Sequence, residues 1–195
     1  MWWARLLNVI SGLLSGGAAA GGGTSYESIA TVNVGSGGQS TISFTSIPST
    51  YKHLQIRAIA KSNWSGNVVS YAMTLNGDSA ANYSYHELYG SGSSAAAAGS
   101  ANTSYMYAGV ILGNTTANTW ATGVIDLLDY ADTNKYKTSR VLTGADINGT
   151  GGYVELMSSS WRSTSAVSSI TLSLISGYGT LFSQYSSFAL YGIKG

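Results

Sequence analysis

The chain has 195 residues, enough for one domain with a sizeable core and too few for two comfortable ones. Charged residues make up 9% of it and the formal net charge is +1, so no long-range field draws it to nucleic acid or to an anionic membrane. It has no cysteine, which excludes disulfides, thiolate catalysis and zinc–thiolate sites. Aromatic residues make up 11%, unlike disordered chains, so we expect a folded protein whose weakly charged surface suits contact with other proteins.

The first segment, MWWARLLNVISGLLS over residues 1–15, has the apolar spacing of an amphipathic helix. We interpret it as an anchor helix that docks its apolar face onto a partner; a signal or membrane-surface segment and packing onto its own domain are the alternatives. A membrane span needs about 20 apolar residues, and this run is shorter. A Gly- and Ala-rich tether follows, so residues 1–23 form the anchor unit and residues 24–195 the folded domain. The expected anchoring side chains are Trp2, Trp3, Leu6, Leu7, Ile10, Leu13 and Leu14.

From residue 25 onward the apolar pattern changes to a period of two, which indicates β-strands. In KHLQIR, for example, Leu54 and Ile56 alternate with polar residues, and turn signals such as Gly90–Gly92 separate the runs. Many short, evenly spaced antiparallel strands predict an all-β fold, a single two-sheet β-sandwich of jelly-roll or lectin-like type. The strands are predicted near residues 25–34, 39–46, 52–61, 67–76, 81–89, 103–112, 120–130, 136–146, 152–161, 168–176 and 182–192.

Residues suited to catalysis are few. The chain has two histidines, His53 and His86, and we expect His86 to be a hydrogen-bonded interface residue. No G-x-S-x-G motif marks a hydrolase nucleophile, and serine is too abundant for its presence to indicate a Ser–His–Asp arrangement. A glycosidase needs two carboxylates that flank a sugar, and Asp126 and Glu155 are a pair that could meet across a sheet. We expect no enzyme, no catalytic residue and no cofactor.

Asp126, Asp129 and Asp132 form the only local cluster of acidic residues. Their spacing does not follow an EF-hand loop, so a calcium site is the less favoured of two interpretations. The favoured one is the polar end of a strand followed by a turn that Asp132 and Asn134 cap, with no metal bound. On that strand we expect Val124 to point into the core.

Four aromatic residues lie in polar company and are candidates for contact with other molecules. Large aromatic side chains are frequent at the centre of protein–protein interfaces, and we favour this role. The alternative is a glycan site, in which an exposed aromatic face stacks on a sugar ring. The candidates are Trp64, Tyr83, Tyr85 and Trp161.

Three strand-like motifs resemble a known group of proteins. They are Y-E-S-I-A-T-V at Tyr26–Val32, S-I-P-S-T-Y-K-H-L at Ser46–Leu54 and L-Y-G-I at Leu190–Ile193. These motifs resemble small virion-associated structural proteins of tailed bacteriophages, and the resemblance spans most of residues 25–195. It implies a capsid decoration protein, a head fibre or a tail-associated fibre. The MWW-x-R start is not part of the pattern.

The resemblance and the anchor segment together predict a structural protein of the virion. We expect a capsid decoration (cement) or head-fibre subunit, attached to the shell through its N-terminus. Its expected partners are the major capsid protein or tail components and further copies of itself in a homotrimer, without nucleic acid and without a membrane span. The alternative is a tail-fibre or receptor-binding protein that recognises host surface glycans through exposed aromatics; a glycan-cleaving enzyme is a third, less favoured hypothesis.

Overall fold

The computed structural model describes residues 25–92, 94–147, 151–177 and 179–195. These residues form twelve strands and no helix, so the all-β prediction is confirmed. The predicted anchor helix at residues 1–15 lies outside the described residues. Nothing in the described part of the chain is a helix of the length and apolar character that would cross a membrane. The strands are β1 Tyr26–Asn33, β2 Thr41–Phe44, β3 His53–Ala60, β4 Val68–Leu75, β5 Tyr83–Ser91, β6 Ser94–Thr103, β7 Met106–Leu112, β8 Ala121–Leu128, β9 Lys137–Asp146, β10 Gly152–Trp161, β11 Ile170–Leu174 and β12 Ser187–Ile193.

The strands form two antiparallel sheets of unequal size. The large sheet has eight strands in the order β1-β12-β3-β8-β9-β10-β5-β6, and the small sheet has four in the order β2-β11-β4-β7. Four pairs are nested in the chain, because β1 pairs with β12, β2 with β11, β3 with β8 and β4 with β7. The hairpins β5–β6 and β9–β10 extend the large sheet beyond β8.

The core lies between the two sheets, which pack face to face in a sandwich-like arrangement. Strand β3 contributes Leu54 and Ile56, as the alternation predicts. The centre of the core is an aromatic cluster, in which Phe182 meets Tyr71 edge-on at 6.2 Å between ring centroids and Phe188 at 5.1 Å. All three rings are fully buried.

Two predictions about individual strands are wrong. Val124 does not enter the core: Ile125 and Leu127 do, and because alternate residues of a strand point to opposite faces, Val124 lies on the outer face of the large sheet. Strand β6 was not predicted at all. Its sequence SAAAAGSANT has almost no β-branched or aromatic residue, so its strand conformation depends on pairing with β5 rather than on its own preference.

Candidate functional site

The outer face of the large sheet carries a row of aliphatic side chains across four neighbouring strands; Leu142, Leu156 and Leu88 are exposed and Val124 is half-buried. Val124 on β8 lies opposite Leu142 on β9, Leu142 opposite Leu156 on β10, and Leu156 opposite Leu88 on β5. Side chains directly opposite each other on an antiparallel pair have Cβ atoms about 4.5–5.5 Å apart. Each of the four side chains is therefore within contact range of the next one across the sheet. Leu142 is 57% exposed and Leu88 56% exposed. We call these four residues the apolar stripe.

A shallow groove runs beside the apolar stripe. It has a volume of about 470 Å³, and its apolar walls include Ile59 and Val154 together with stripe residues. Gly144 forms part of its floor: a Cβ atom built there would meet only the Tyr153 carbonyl oxygen, at 3.9 Å. A missing side chain between exposed aliphatic residues leaves a recess that a partner's side chain fits. Contiguous exposed apolar surface of this kind marks a site of interaction on soluble proteins.

A hydrogen-bonded polar network borders the apolar stripe at the β3 end. Arg57 lies opposite Val124 and donates from Nε to Gln55 Oε1 at 2.9 Å. Gln55 Nε2 in turn donates to Asp126 Oδ1 at 2.8 Å, and Arg140 Nη2 pairs with Asp126 Oδ2 at 2.8 Å. An apolar centre with a satisfied polar border is the composition of protein–protein interfaces.

Two of the four candidate aromatics are not surface residues, so their predicted role in contacts is wrong. Tyr83 and Trp161 are buried and stack on each other, with ring centroids 6.2 Å apart. Both fix the loop after β4, because Trp161 Nε1 donates to Asp78 Oδ2 at 2.7 Å and Tyr83 Oη donates to the Asp78 carbonyl oxygen at 2.8 Å. Burial raises the pKa of Tyr83 to about 12. The polar residues next to Tyr83 and Trp161 in the sequence point to the opposite face of each strand, so they do not indicate that the two rings are exposed.

Trp64 and Tyr85 are half-buried, and the structure does not bring them together. Trp64 lies in the loop between β3 and β4, where its ring covers Gly66. Tyr85 lies on the inner face of β5, 4.4 Å from Tyr107 between ring centroids. Neither residue belongs to the apolar stripe. Their role in an interface or a glycan site stays a prediction.

The three aspartates Asp126, Asp129 and Asp132 do not converge. Asp126 belongs to the outer-face network, whereas Asp129 follows β8 and pairs with Lys52 at 2.8 Å and with Lys135 at 2.6 Å. Hydrogen bonds from these two lysines lower the pKa of Asp129 to about 2, Lys135 contributing most. Asp132 Oδ1 accepts from the Asn134 backbone N–H at 2.8 Å, as in the predicted turn.

The described residues contain no group of three or more His, Asp or Glu side chains arranged for a metal ion. The residues considered for catalysis are also separated. His53 on β3 accepts the Asp129 backbone N–H at 2.9 Å, while His86 lies exposed on β5. Asp126 points to the outer face and Glu155 to the inner face, so the expectation that this pair could meet across a sheet is wrong. Lysines and backbone groups account for these contacts of Asp129 and Asp132, and a backbone N–H for that of His53.

The inner face of β10 carries a buried carboxyl, that of Glu155, whose burial the sequence did not indicate. Glu155 is 2% exposed, and its Oε2 has no hydrogen-bond partner among the described residues. Burial, and then the charge of Glu87 on β5, raise the pKa of Glu155 to about 8. Tyr89 stacks on Tyr153 beside it, with ring centroids 5.2 Å apart. The segment YSYHELY alternates so that its tyrosines and Glu87 lie on one face of the strand. This alternation is the sequence signal that could have indicated the partly buried inner face of β5 and β10.

Comparison with known proteins does not add to this geometry. The chain matches no protein-family model, and no curated protein matches it.

The buried position of Trp161 predicts a loss of stability on mutation rather than a loss of binding. Trp161→Phe removes the Nε1 donor to Asp78 and part of a buried ring, which we expect to lower the free energy of unfolding by about 2–4 kcal/mol. Urea unfolding measures it, with Trp64→Phe in the half-buried loop as the matched control. A change below about 0.5 kcal/mol for Trp161→Phe would show that the ring does not anchor the loop.

The raised pKa of Glu155 predicts a specific dependence of stability on pH. The folded protein binds more protons than the unfolded chain between pH 4.5 and about 8, so this contribution to stability is fully present below pH 4.5 and is lost as the pH rises through 8. We expect the free energy of unfolding of the wild type to fall between about pH 5 and pH 8. Glu155→Gln, which cannot ionise, is expected to lose this slope.

The control for this experiment is Glu27→Gln. The pKa of Glu27 is lowered, chiefly by its hydrogen bond with Lys194, so its contribution is lost only as the pH falls below 4.5. Urea unfolding at a series of pH values should therefore give Glu27→Gln the wild-type slope between about pH 5 and 8. Equal slopes in the wild type and in Glu155→Gln would contradict the assignment.

Proposed function

We propose that the chain is a structural subunit of a tailed-bacteriophage virion, a capsid decoration or head-fibre protein that acts by packing against other virion proteins. The observation that carries this proposal is the apolar stripe on the outer face of the large sheet. Leu142 and Leu156 are exposed, and only 9% of the residues of the chain are charged. A surface that is apolar and weakly charged is typical of a protein that other chains cover in its assembled state.

The strand topology supports the proposal. The nested pairs β1–β12, β2–β11, β3–β8 and β4–β7 are those of a long hairpin rolled into two sheets, and we take the core to be a jelly roll of this kind. Jelly rolls are frequent in viral capsid proteins and in lectins. The architecture therefore suits both the virion subunit and the glycan-binding alternative, and the apolar stripe favours the first.

The motifs that resemble phage virion proteins lie together in the folded chain. Tyr26–Val32 is most of β1, Leu190–Ile193 ends β12, and Ser46–Leu54 leads into β3, which are three neighbouring strands of the large sheet. The ring of Tyr51 explains the glycine of the L-Y-G-I motif. It packs so closely against Gly192 that a Cβ atom on residue 192 would lie 2.3 Å from the ring. The motifs thus describe one packed unit rather than three unrelated strands.

The alternative is a tail-fibre or receptor-binding protein that recognises host glycans. It would use the half-buried aromatics Trp64, in the loop between β3 and β4, and Tyr85, on β5. The number of copies per virion separates the two functions, because hundreds indicate a shell protein and a handful indicate a tail protein. The homotrimer expected from the sequence stays a prediction.

Binding to purified virions that lack the chain tests the role of the apolar stripe. We expect Leu142→Asp in the full chain to weaken binding at least about tenfold, because a buried, unpaired carboxylate costs more than the ~1.4 kcal/mol that a tenfold change requires. Ser43→Asp, at an exposed position of β2 on the small sheet, is the matched control and should bind as the wild type does. Equal affinities for the two variants would contradict the proposed use of this face.

The same binding assay tests the anchor segment independently. Ile10→Asp places a charge on the predicted apolar face of residues 1–15 and is expected to abolish attachment. Asn8→Asp is the matched control, because Asn8 lies on the polar side of the predicted helix. Wild-type attachment by Ile10→Asp would exclude residues 1–15 as the anchor while leaving the apolar stripe to be judged by Leu142→Asp.

A further inference from the structure

The two sheets have four edges, and three of them carry features that prevent pairing with another strand. Strand β1 has a bulge between Ser28 and Ala30, and its Glu27 is held by Lys194 and by Tyr51. Strand β2 has only four residues. Strand β7 packs against β8, β9, β10 and β5 of the large sheet, and all but one of its residues are buried. Bulges, charges, short strands and coverage are the means by which proteins protect sheet edges.

The fourth edge, β6, has none of these protections along most of its length. It has ten residues, and Ser94–Asn102 are exposed on both faces of the sheet. It contains no charged residue and no proline. Its one irregularity is the bulge near Asn102, at the end of the strand, so residues 94–101 form a regular strand. Among the described strands only β5 pairs with it, which leaves the backbone N–H and C=O groups of its other side available.

The sequence of β6 is close to symmetric about Ala97. Reading outward, Ala96 is matched by Ala98, Ala95 by Gly99 and Ser94 by Ser100. In an antiparallel pair of identical strands about a twofold axis, a residue on the axis faces itself and these residues face one another. Every facing pair is then small and uncharged on both faces of the sheet. A second copy of the strand can therefore pair with it without a steric clash or a like-charge contact at any of these positions.

We propose that β6 pairs with β6 of a second copy in an antiparallel, twofold-symmetric dimer centred on Ala97. Ala97 lies opposite Leu88, so it extends the apolar stripe to the edge of the sheet, and pairing joins the stripes of both copies on one continuous surface. The twofold dimer takes the place of the homotrimer expected from the sequence. It supplies a surface for the self-association of a virion subunit and to that extent rests on the proposed function. It is measured on the isolated full chain, however, so it fails or holds separately from attachment to virions.

Cysteine cross-linking tests the register directly, because the chain has no cysteine of its own. Directly opposite residues of an antiparallel pair have Cα atoms about 4.5–5.5 Å apart, within the range of a disulfide. We expect Ala97→Cys in the full chain to form a covalent dimer on mild oxidation. Ser43→Cys, exposed on the β2 edge of the small sheet, is the control and should stay monomeric on a non-reducing gel. Cross-linking of Ala97→Cys no faster than that of Ser43→Cys would overturn the proposal.

Charge substitution at the same position tests the dimer without oxidation. Ala97→Lys places two lysines opposite each other across the axis, and Ala97→Glu places two glutamates there, so each variant should sediment as a monomer. An equimolar mixture of the two should restore the dimer, whereas Ser43→Lys should remain dimeric throughout. Melting curves establish that the variants are folded. A monomeric or trimeric wild type, or a dimer that Ala97→Lys leaves intact, would overturn the proposal.

The outcome for the proposed function is separate. If the dimer forms as described and Leu142→Asp still attaches to virions with wild-type affinity, the use of the stripe in attachment is wrong and the β6 pairing stands. If Leu142→Asp loses attachment and Ala97→Cys does not cross-link, the β6 pairing is wrong and the use of the stripe in attachment stands.

Discussion

The inequality of the two sheets is the constraint on which the exposed surfaces depend. A four-stranded sheet covers one face of part of an eight-stranded sheet, so no described strand covers the outer face of the large sheet or the edge strand β6. Edge strand β7 of the small sheet packs against β8, β9, β10 and β5. Glu155 therefore lies buried under this cover, whereas β6 beyond it is exposed on both faces. The apolar stripe and the open edge follow from the same shortage of covering strands.

The two open features differ in what they offer a partner. The apolar stripe presents aliphatic side chains, whose removal from water favours association at roughly 25 cal/mol per Å² of apolar surface buried. The β6 edge presents backbone groups that no described strand pairs with. They specify direction and register but add little apolar area, because Ala, Gly and Ser are small. In the proposed assembly, the apolar stripe therefore supplies the free energy of association and the β6 edge the geometry. Their meeting at Ala97, opposite Leu88, makes them parts of one contact region.

Local sequence patterns were sufficient to predict most strands. They did not predict which face of each strand is buried or which strands pair with each other. In β3 the alternation is unambiguous, and Leu54 is in the core as predicted. In β8 apolar residues lie on both faces, so the phase of the alternation could not be read and Val124 was assigned inward. Tyr83 and Trp161 have polar neighbours in the sequence, but burial depends on strands far away in the chain. The residues of β6 have a low intrinsic preference for the strand conformation, which therefore depends on pairing with β5.

The account is tested most directly by a density map of an intact virion at side-chain resolution. It predicts that another protein chain covers Leu142 and Leu156 on the outer face of the large sheet. A map in which these leucines face solvent while the domain is attached elsewhere would contradict it, and so would virions that do not contain the chain.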